Sequence, residues 1–187
     1  MSEVSAKNIG KIAERIVANE FEVRGFRVSD LNKDGQSANA DLIAVGLGRV
    51  WQIQVKGATN TAKDGPWWWV EYGFCNQNVI SRKGPMFNRK SSFYKADIVV
   101  LVAVRSPKDY CCIVLTVSSA EEAAQLNLDR DYRVPTKRVE PKKPYKVWVG
   151  LDPRPKENSI PLRDTERQIL ESHRDNWSIL YGEPLIS

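Results

Sequence analysis

The sequence predicts an α/β domain, a β-sheet covered by helices, followed by a Pro-rich and basic C-terminal extension. Three observations carry that reading. Ile9, Ile12, Ala13, Ile16 and Val17 recur at helical spacing between Ala6 and Arg24. Two apolar, β-branched runs, Asp41 to Val45 and Val50 to Lys56, flank the turn Gly46-Leu47-Gly48-Arg49 and read as a β-hairpin. Asp97 to Val104 is apolar on both faces, the pattern of a central strand in a sheet covered on both sides.

The totals narrow the classes. A chain of 187 residues with 42% hydrophobic and 27% charged residues can build one full core. Lys plus Arg number 28 against 23 for Asp plus Glu, a mild excess of +5 that is compatible with a polyanionic partner. No run of 18 or more apolar residues predicts a membrane-spanning helix. Met1 to Lys7 lacks the apolar core of a signal peptide. Cys75, Cys111 and Cys112 show no metal-ligand spacing, and Cys111-Cys112 sits in a run that looks like buried strand. A reducing cytoplasm is the expected location. The single histidine, His173, argues against histidine-activated nucleophiles and reads as a surface residue of a polar C-terminal helix.

Taken in order, the first helix has Ser5 as candidate N-cap and Gly25 just past its end. Glu14 falls beyond the edge of its apolar arc, near Ala18 and Phe21, which by itself describes a flank carboxylate in water. Gly10, one turn earlier, suggests close backbone approach, because a mid-helix glycine costs about 1 kcal/mol against alanine. Phe26 to Ser29 is a short strand, and Asp30 to Asn39 a polar loop. After the hairpin, Trp67 to Tyr72, Asp97 to Val104 and Tyr110 to Val117 read as strands, and Ser118 or Ser119 caps a short helix through Leu126. The core is expected over 1–127 and the extension over 128–187. Within the extension, prolines interrupt the chain, a short strand is expected at Tyr145 to Val149 and a last helix from Arg163 to Trp177. Ile179-Leu180-Tyr181 is expected to dock on the main body.

The hairpin carries the chemistry. With Leu47-Gly48 as a two-residue turn, Gln54 stands opposite Asp41, and opposed residues share a face. Gln52, Gln54 and Lys56 then lie on one side of the strand and Trp51, Ile53 and Val55 on the other. A carboxylate, an amide and an ammonium group converge at one end of an otherwise apolar hairpin.

A helix with Glu14, a strand opening at Asp41 and a paired strand with Gln54-Val55-Lys56 resemble the PD-(D/E)XK nuclease superfamily. The resemblance covers roughly Ala6 to Val117. It departs at Ala40, where the family has proline, and at Gln54, where it has Asp or Glu; glutamine there is similar to Mrr-like nucleases. It implies a restriction-endonuclease-like core with a mixed central β-sheet flanked by helices. It further implies a Mg²⁺-dependent DNA endonuclease of restriction, repair or mobile-element type, with Mn²⁺ as a substitute ion. Asp41, the Gln54 amide oxygen, a carbonyl near Val55 and Glu14 would hold the metal, and Lys56 would orient a water or stabilise developing charge. Double-strand cleavage by so small a chain implies a homodimer.

Other residues are candidates for nucleic-acid contact. Gln36 and Ser37 precede Asp41, though turn residues need no function. Arg82, Lys83, Arg89 and Lys90 can track phosphates, with Phe87 or Phe93 packing on sugars or bases, or they form an ordinary solvated face. Trp67-Trp68-Trp69 suggests base stacking, but an alternating strand sends at least one side of that triplet into the core. The Lys/Pro segment from Lys137 to Lys146 either clamps a duplex or is a linker. Two rival functions stay open: a non-catalytic nucleic-acid-binding module on the same fold, and an interaction subunit of a larger complex.

Overall fold

The helix α1 (Ala6–Glu22) forms because Ile9, Ala13, Ile16, Val17 and Phe21 make one buried stripe. It ends two residues earlier than the sequence suggests, in a Schellman motif. Gly25, with φ 87°, donates to the Glu22 carbonyl at 2.9 Å, and Phe26 donates to the Phe21 carbonyl at 3.1 Å. The Phe21 and Phe26 rings close the motif edge to face, 5.5 Å between centroids. This computed structural model describes residues 6–31, 40–60, 66–72, 91–106, 108–133, 145–151 and 162–182.

The remaining elements are β1 (Arg27–Asp30), β2 (Leu42–Gly46), β3 (Arg49–Thr59), β4 (Trp67–Tyr72), β5 (Ile98–Ser106), β6 (Asp109–Thr116), α2 (Val117–Arg133), β7 (Tyr145–Gly150) and α3 (Leu162–Ser172), then a 3-10 turn at Trp177–Tyr181. A five-stranded sheet runs β1-β2-β3-β5-β6. It is mixed, because β3 and β5 pair in parallel and every other neighbour pair is antiparallel. A second, two-stranded sheet joins β4 to β7.

Side-chain parity sorts the main sheet into two cores. Ile53, Val55, Val100, Val102 and Val114 meet α1. Ala58, Val99, Leu101, Ala103 and Leu115 meet α2 and the β4–β7 pair. Strand β5 is buried from Ile98 through Val104, as expected of an interior strand. The α1 contact is close at Gly57, where an added Cβ would stand 2.8 Å from both the Ala13 Cβ and the Ile9 carbonyl oxygen. Gly10 has no such role: a Cβ there meets nothing within 4 Å, so the glycine that permits close approach lies on the strand, not the helix.

Three further expectations are corrected. The helix after β6 begins at Val117 and continues to Arg133, and its cap is Thr116, whose hydroxyl accepts from Ser119 N at 3.1 Å. The last helix stops at Ser172, well before Trp177. Its next residues pair with the edge of β6: Val114 N donates to His173 O at 2.9 Å, and Asp175 N to Cys112 O at 2.7 Å. Asp175, with φ 48°, also accepts from Cys112 N on its carboxylate at 3.1 Å. That pairing folds His173 inward, leaving it 5% exposed with Nδ1 at 2.8 Å from Ile169 O, so it is a core residue and not a surface one.

Trp177 and Leu180 dock in the α1 core, as expected for the tail. Strand β7 and α3 lie beyond residue 128, yet β7 pairs with β4 and α3 packs on α2. The prolines of the C-terminal segment, from Pro135 to Pro161, fall outside the described residues. No helix among the described residues is long and apolar enough to cross a membrane.

One pH effect follows from how α1 is tied to β6. Tyr110 Oη donates to Glu20 Oε1 at 2.7 Å, and that hydrogen bond, with some burial, pushes the phenol up to about 12. A pKa raised in the folded state stabilises fully below the unfolded value near 10 and is lost as pH rises towards 12. Alkaline titration followed by tyrosinate absorbance is therefore expected to show one phenol ionising late, and Tyr110→Phe should delete that late step. An unchanged titration curve in the variant would refute the contact.

Candidate metal and catalytic site

Strands β2 and β3 are joined by Leu47 and Gly48, with φ of 53° and 71°, a type I′ turn whose twist suits a hairpin. The register that results pairs Leu42 with Ile53 and Gly46 with Arg49, as the two-residue turn requires. Asp41 sits just before β2, held on both sides. Its N–H donates to Ile53 O at 2.9 Å and its carbonyl accepts from Leu31 N at 3.0 Å. The strands part here, and the Asp41 side chain takes over for a missing ladder carbonyl: Oδ2 accepts from Val55 N at 2.8 Å. The same oxygen accepts from Gln54 Nε2.

Gln54 is buried, 7% exposed, and points with Lys56 to the face away from α1, while Ile53 and Val55 point towards it. Lys56 is half-buried and pairs with Leu101. The far side of β3 is fixed by Asp97, which the sequence pattern places inside the strand. It precedes β5 instead, its carboxylate accepting from Gln52 N at 2.8 Å and its own N–H donating to Gln52 O at 2.8 Å. The signal was available, since an aspartate entering a wholly apolar strand is a natural cap.

Glu14 takes a different position. It is half-buried on α1 and lines a cleft of about 420 Å³ with Lys11, Arg15, Asp30 and Leu42. That cleft lies on the α1 side of the sheet, and it reaches the site end of β2 at Leu42, the residue after Asp41. The fold thus joins Asp41 to Gln54 by a hydrogen bond, sets Lys56 on the Gln54 face of β3, and leaves Glu14 on the opposite, α1 side of the sheet. Gln36, Ser37, Arg82, Lys83, Arg89 and Lys90 lie outside the described residues, as does Phe87. Phe93 is 1% exposed in the core and has no surface to offer a base or sugar. Trp68 is likewise core, whereas Trp69 is 43% exposed against Trp148 on the outer face of the β4–β7 pair.

The turn that leads into β5 is anchored by a contact the sequence did not suggest. Glu121 on α2 accepts from the Ser91 N–H at 3.2 Å and from the Ser91 hydroxyl. Burial pushes the Glu121 carboxyl up, and the two Ser91 bonds partly offset it.

Among the described residues no group of three or more His, Cys, Asp or Glu side chains stands ready to hold a metal ion. A His/Cys zinc centre is therefore not formed by them. The hard oxygen donor at the site is the Asp41 carboxylate, towards which Gln54 Nε2 and the Val55 N–H both donate. A carboxylate is the kind of donor Mg²⁺ takes, one or two at a time, with its shell completed by water and substrate phosphate.

No protein-family model matches the chain, and no curated protein matches it. Its fold is shared with a nuclease of known structure. That protein is a bacterial homing endonuclease, I-Ssp6803I, which superposes with a TM-score of 0.53 over 95% of this chain and 94% of its own, at 16% identity. At that identity the likeness is one of fold. It supports a nuclease-like α/β architecture over nearly the full length.

Proposed function

We propose that the protein is a metal-dependent DNA endonuclease of the PD-(D/E)XK type, carrying glutamine in the second metal position. The observation that carries the proposal is the junction of Asp41 and Gln54 at the parting of β2 and β3, with Lys56 on the same face. The shared fold with a homing endonuclease supports DNA as the substrate.

In this reading Asp41 and Gln54 would hold Mg²⁺ or Mn²⁺, and Glu14 on α1 would contribute charge. The ion, when bound, supplies Lewis-acid polarisation of the phosphate and a more acidic water. The chain's own part is positional. Val55 N–H fixes the Asp41 carboxylate. Asp97 and the β5 ladder fix the strand that carries Gln54 and Lys56. Lys56 then places a positive charge where negative charge grows on the phosphate. Two copies would supply the two sites that a double-strand cut needs.

The test is supercoiled plasmid with Mg²⁺ or Mn²⁺, comparing wild type with Asp41→Asn, which keeps an acceptor for Val55 N–H. Cleavage is expected to need the metal and to fall about 10²–10³-fold in the variant, a few kcal/mol of lost charge stabilisation. Metal-dependent nicking at full rate in Asp41→Asn would sink the assignment.

One observation favours a second reading, a non-catalytic DNA-binding module. The Gln54 group facing Asp41 is the amide nitrogen, a donor and not a metal ligand. That reading predicts salt-sensitive, metal-indifferent DNA binding without cleavage.

A further inference from the structure

A divalent cation at Asp41 and the Gln54 amide would compete for the same carboxylate. Asp41 Oδ2 already receives two donors, Val55 N–H at 2.8 Å and Gln54 Nε2. The NH₂ edge of an amide carries positive partial charge, so it cannot share that oxygen with Mg²⁺ at the ligating face. The other end of the same group is an oxygen of the hardness Mg²⁺ prefers. The two ends are nearly the same size, so turning the amide over about its last torsion exchanges donor for ligand without moving the backbone. The surroundings keep the group in place while it turns: Gln54 is 7% exposed, and its strand is pinned by Asp97 on one side of the residue and by the β5 ladder along it.

We infer that Gln54 is a two-position element: its amide latches Asp41 in the ion-free protein and turns over to present Oε1 when a divalent cation binds. This rests on the metal-dependent reading above. It explains what glutamine does that a second carboxylate would not. Two adjacent carboxylates in a half-buried corner repel until an ion arrives, whereas a carboxylate and an amide form a hydrogen bond and are stable without one. The latch then has to be broken for each ion bound. The consequence is a weaker metal site, in a fold that does not depend on metal for its integrity.

The test uses the full chain labelled with ¹⁵N, with Mg²⁺ alone as the probe and calorimetry in parallel. The Gln54 NH₂ pair is assigned by its loss in Gln54→Glu. In the ion-free protein those protons are expected to exchange slowly with solvent. Saturating Mg²⁺ should shift the pair and speed that exchange about tenfold, the loss of a hydrogen bond of about 1.4 kcal/mol. Gln54→Glu should bind Mg²⁺ about tenfold more tightly, since affinity follows ligand charge, and should gain more thermal stability from Mg²⁺ than wild type does. If calorimetry shows Mg²⁺ binding that Asp41→Asn abolishes while the Gln54 pair stays unmoved, the amide is not a ligand. The switch is then overturned and the metal site stands. Equal Mg²⁺ affinity in wild type and Gln54→Glu overturns it as well. No Mg²⁺ binding by wild type at millimolar concentration removes the metal reading and the switch together.

Discussion

Lys56→Ala is expected to lower plasmid cleavage by about 10²–10³-fold while leaving Mg²⁺ affinity and folding nearly unchanged. The magnitude is that of removing one preorganised charge or donor from a transition state, about 2.7–4 kcal/mol. The selectivity follows from position. On the metal-dependent reading proposed above, Lys56, half-buried two residues beyond Gln54 on the same face of β3, would stand outside the set of residues that hold the ion. Lys56→Arg should recover only part of the rate, because a planar fork does not replace a compact ammonium at a fixed distance. Steady-state cleavage together with calorimetric Mg²⁺ titration separates the two quantities. Wild-type rates in Lys56→Ala would remove Lys56 from catalysis, and loss of Mg²⁺ binding would give it a different job.

Trp68→Ala should be the most damaging single change to stability, by about 3–5 kcal/mol. Trp68 is 1% exposed and sits between the two sheets, among Ala58, Leu101, Ala103 and Leu115 of the large one and Val147 and Val149 of the small one. Its indole N–H donates to Val102 O at 3.2 Å, so truncation removes both packing and a buried hydrogen bond. Against a typical domain stability of about 5–15 kcal/mol the loss is a fifth or more. For a chain of 187 residues it corresponds to a fall in Tm of roughly 6–20 °C. Urea unfolding should show a lower midpoint at an unchanged slope. A midpoint within error of wild type would mean that the β4–β7 pair is not anchored through this residue.

The contrast between these two sites shows what a sequence discloses. The hairpin was legible because its constraints are local: a two-residue turn fixes the register, and strand periodicity then fixes which side chains share a face. Asp41, Gln54 and Lys56 could be placed together from that alone. The β4–β7 pairing was not, because each strand reads as a short apolar run and nothing in either names its partner. His173 was misplaced for a related reason. Its polar neighbours suggest a surface helix, and only the pairing of the following turn with β6 takes the ring inside. The helix was expected to run through Leu126, yet α2 continues past Asn127, whose Nδ2 donates to Ala123 O at 3.1 Å. Helical spacing puts Glu14 at the edge of the apolar arc, but the cleft it lines depends on how α1 crosses β1 and β2, which no spacing encodes.

The turn at His173 to Asp175 has a consequence for how molecules of this protein meet one another. An open sheet has two edges, each a row of unpaired peptide groups that can recruit a strand from a neighbour. Here the β6 edge is occupied by the chain's own backbone at Cys112 and Val114. The opposite edge, β1, has only the residues Arg27–Asp30, with Arg27 and Ser29 exposed. One edge is closed and the other is short and polar. Strand-to-strand association therefore finds little purchase on the edges of the main sheet.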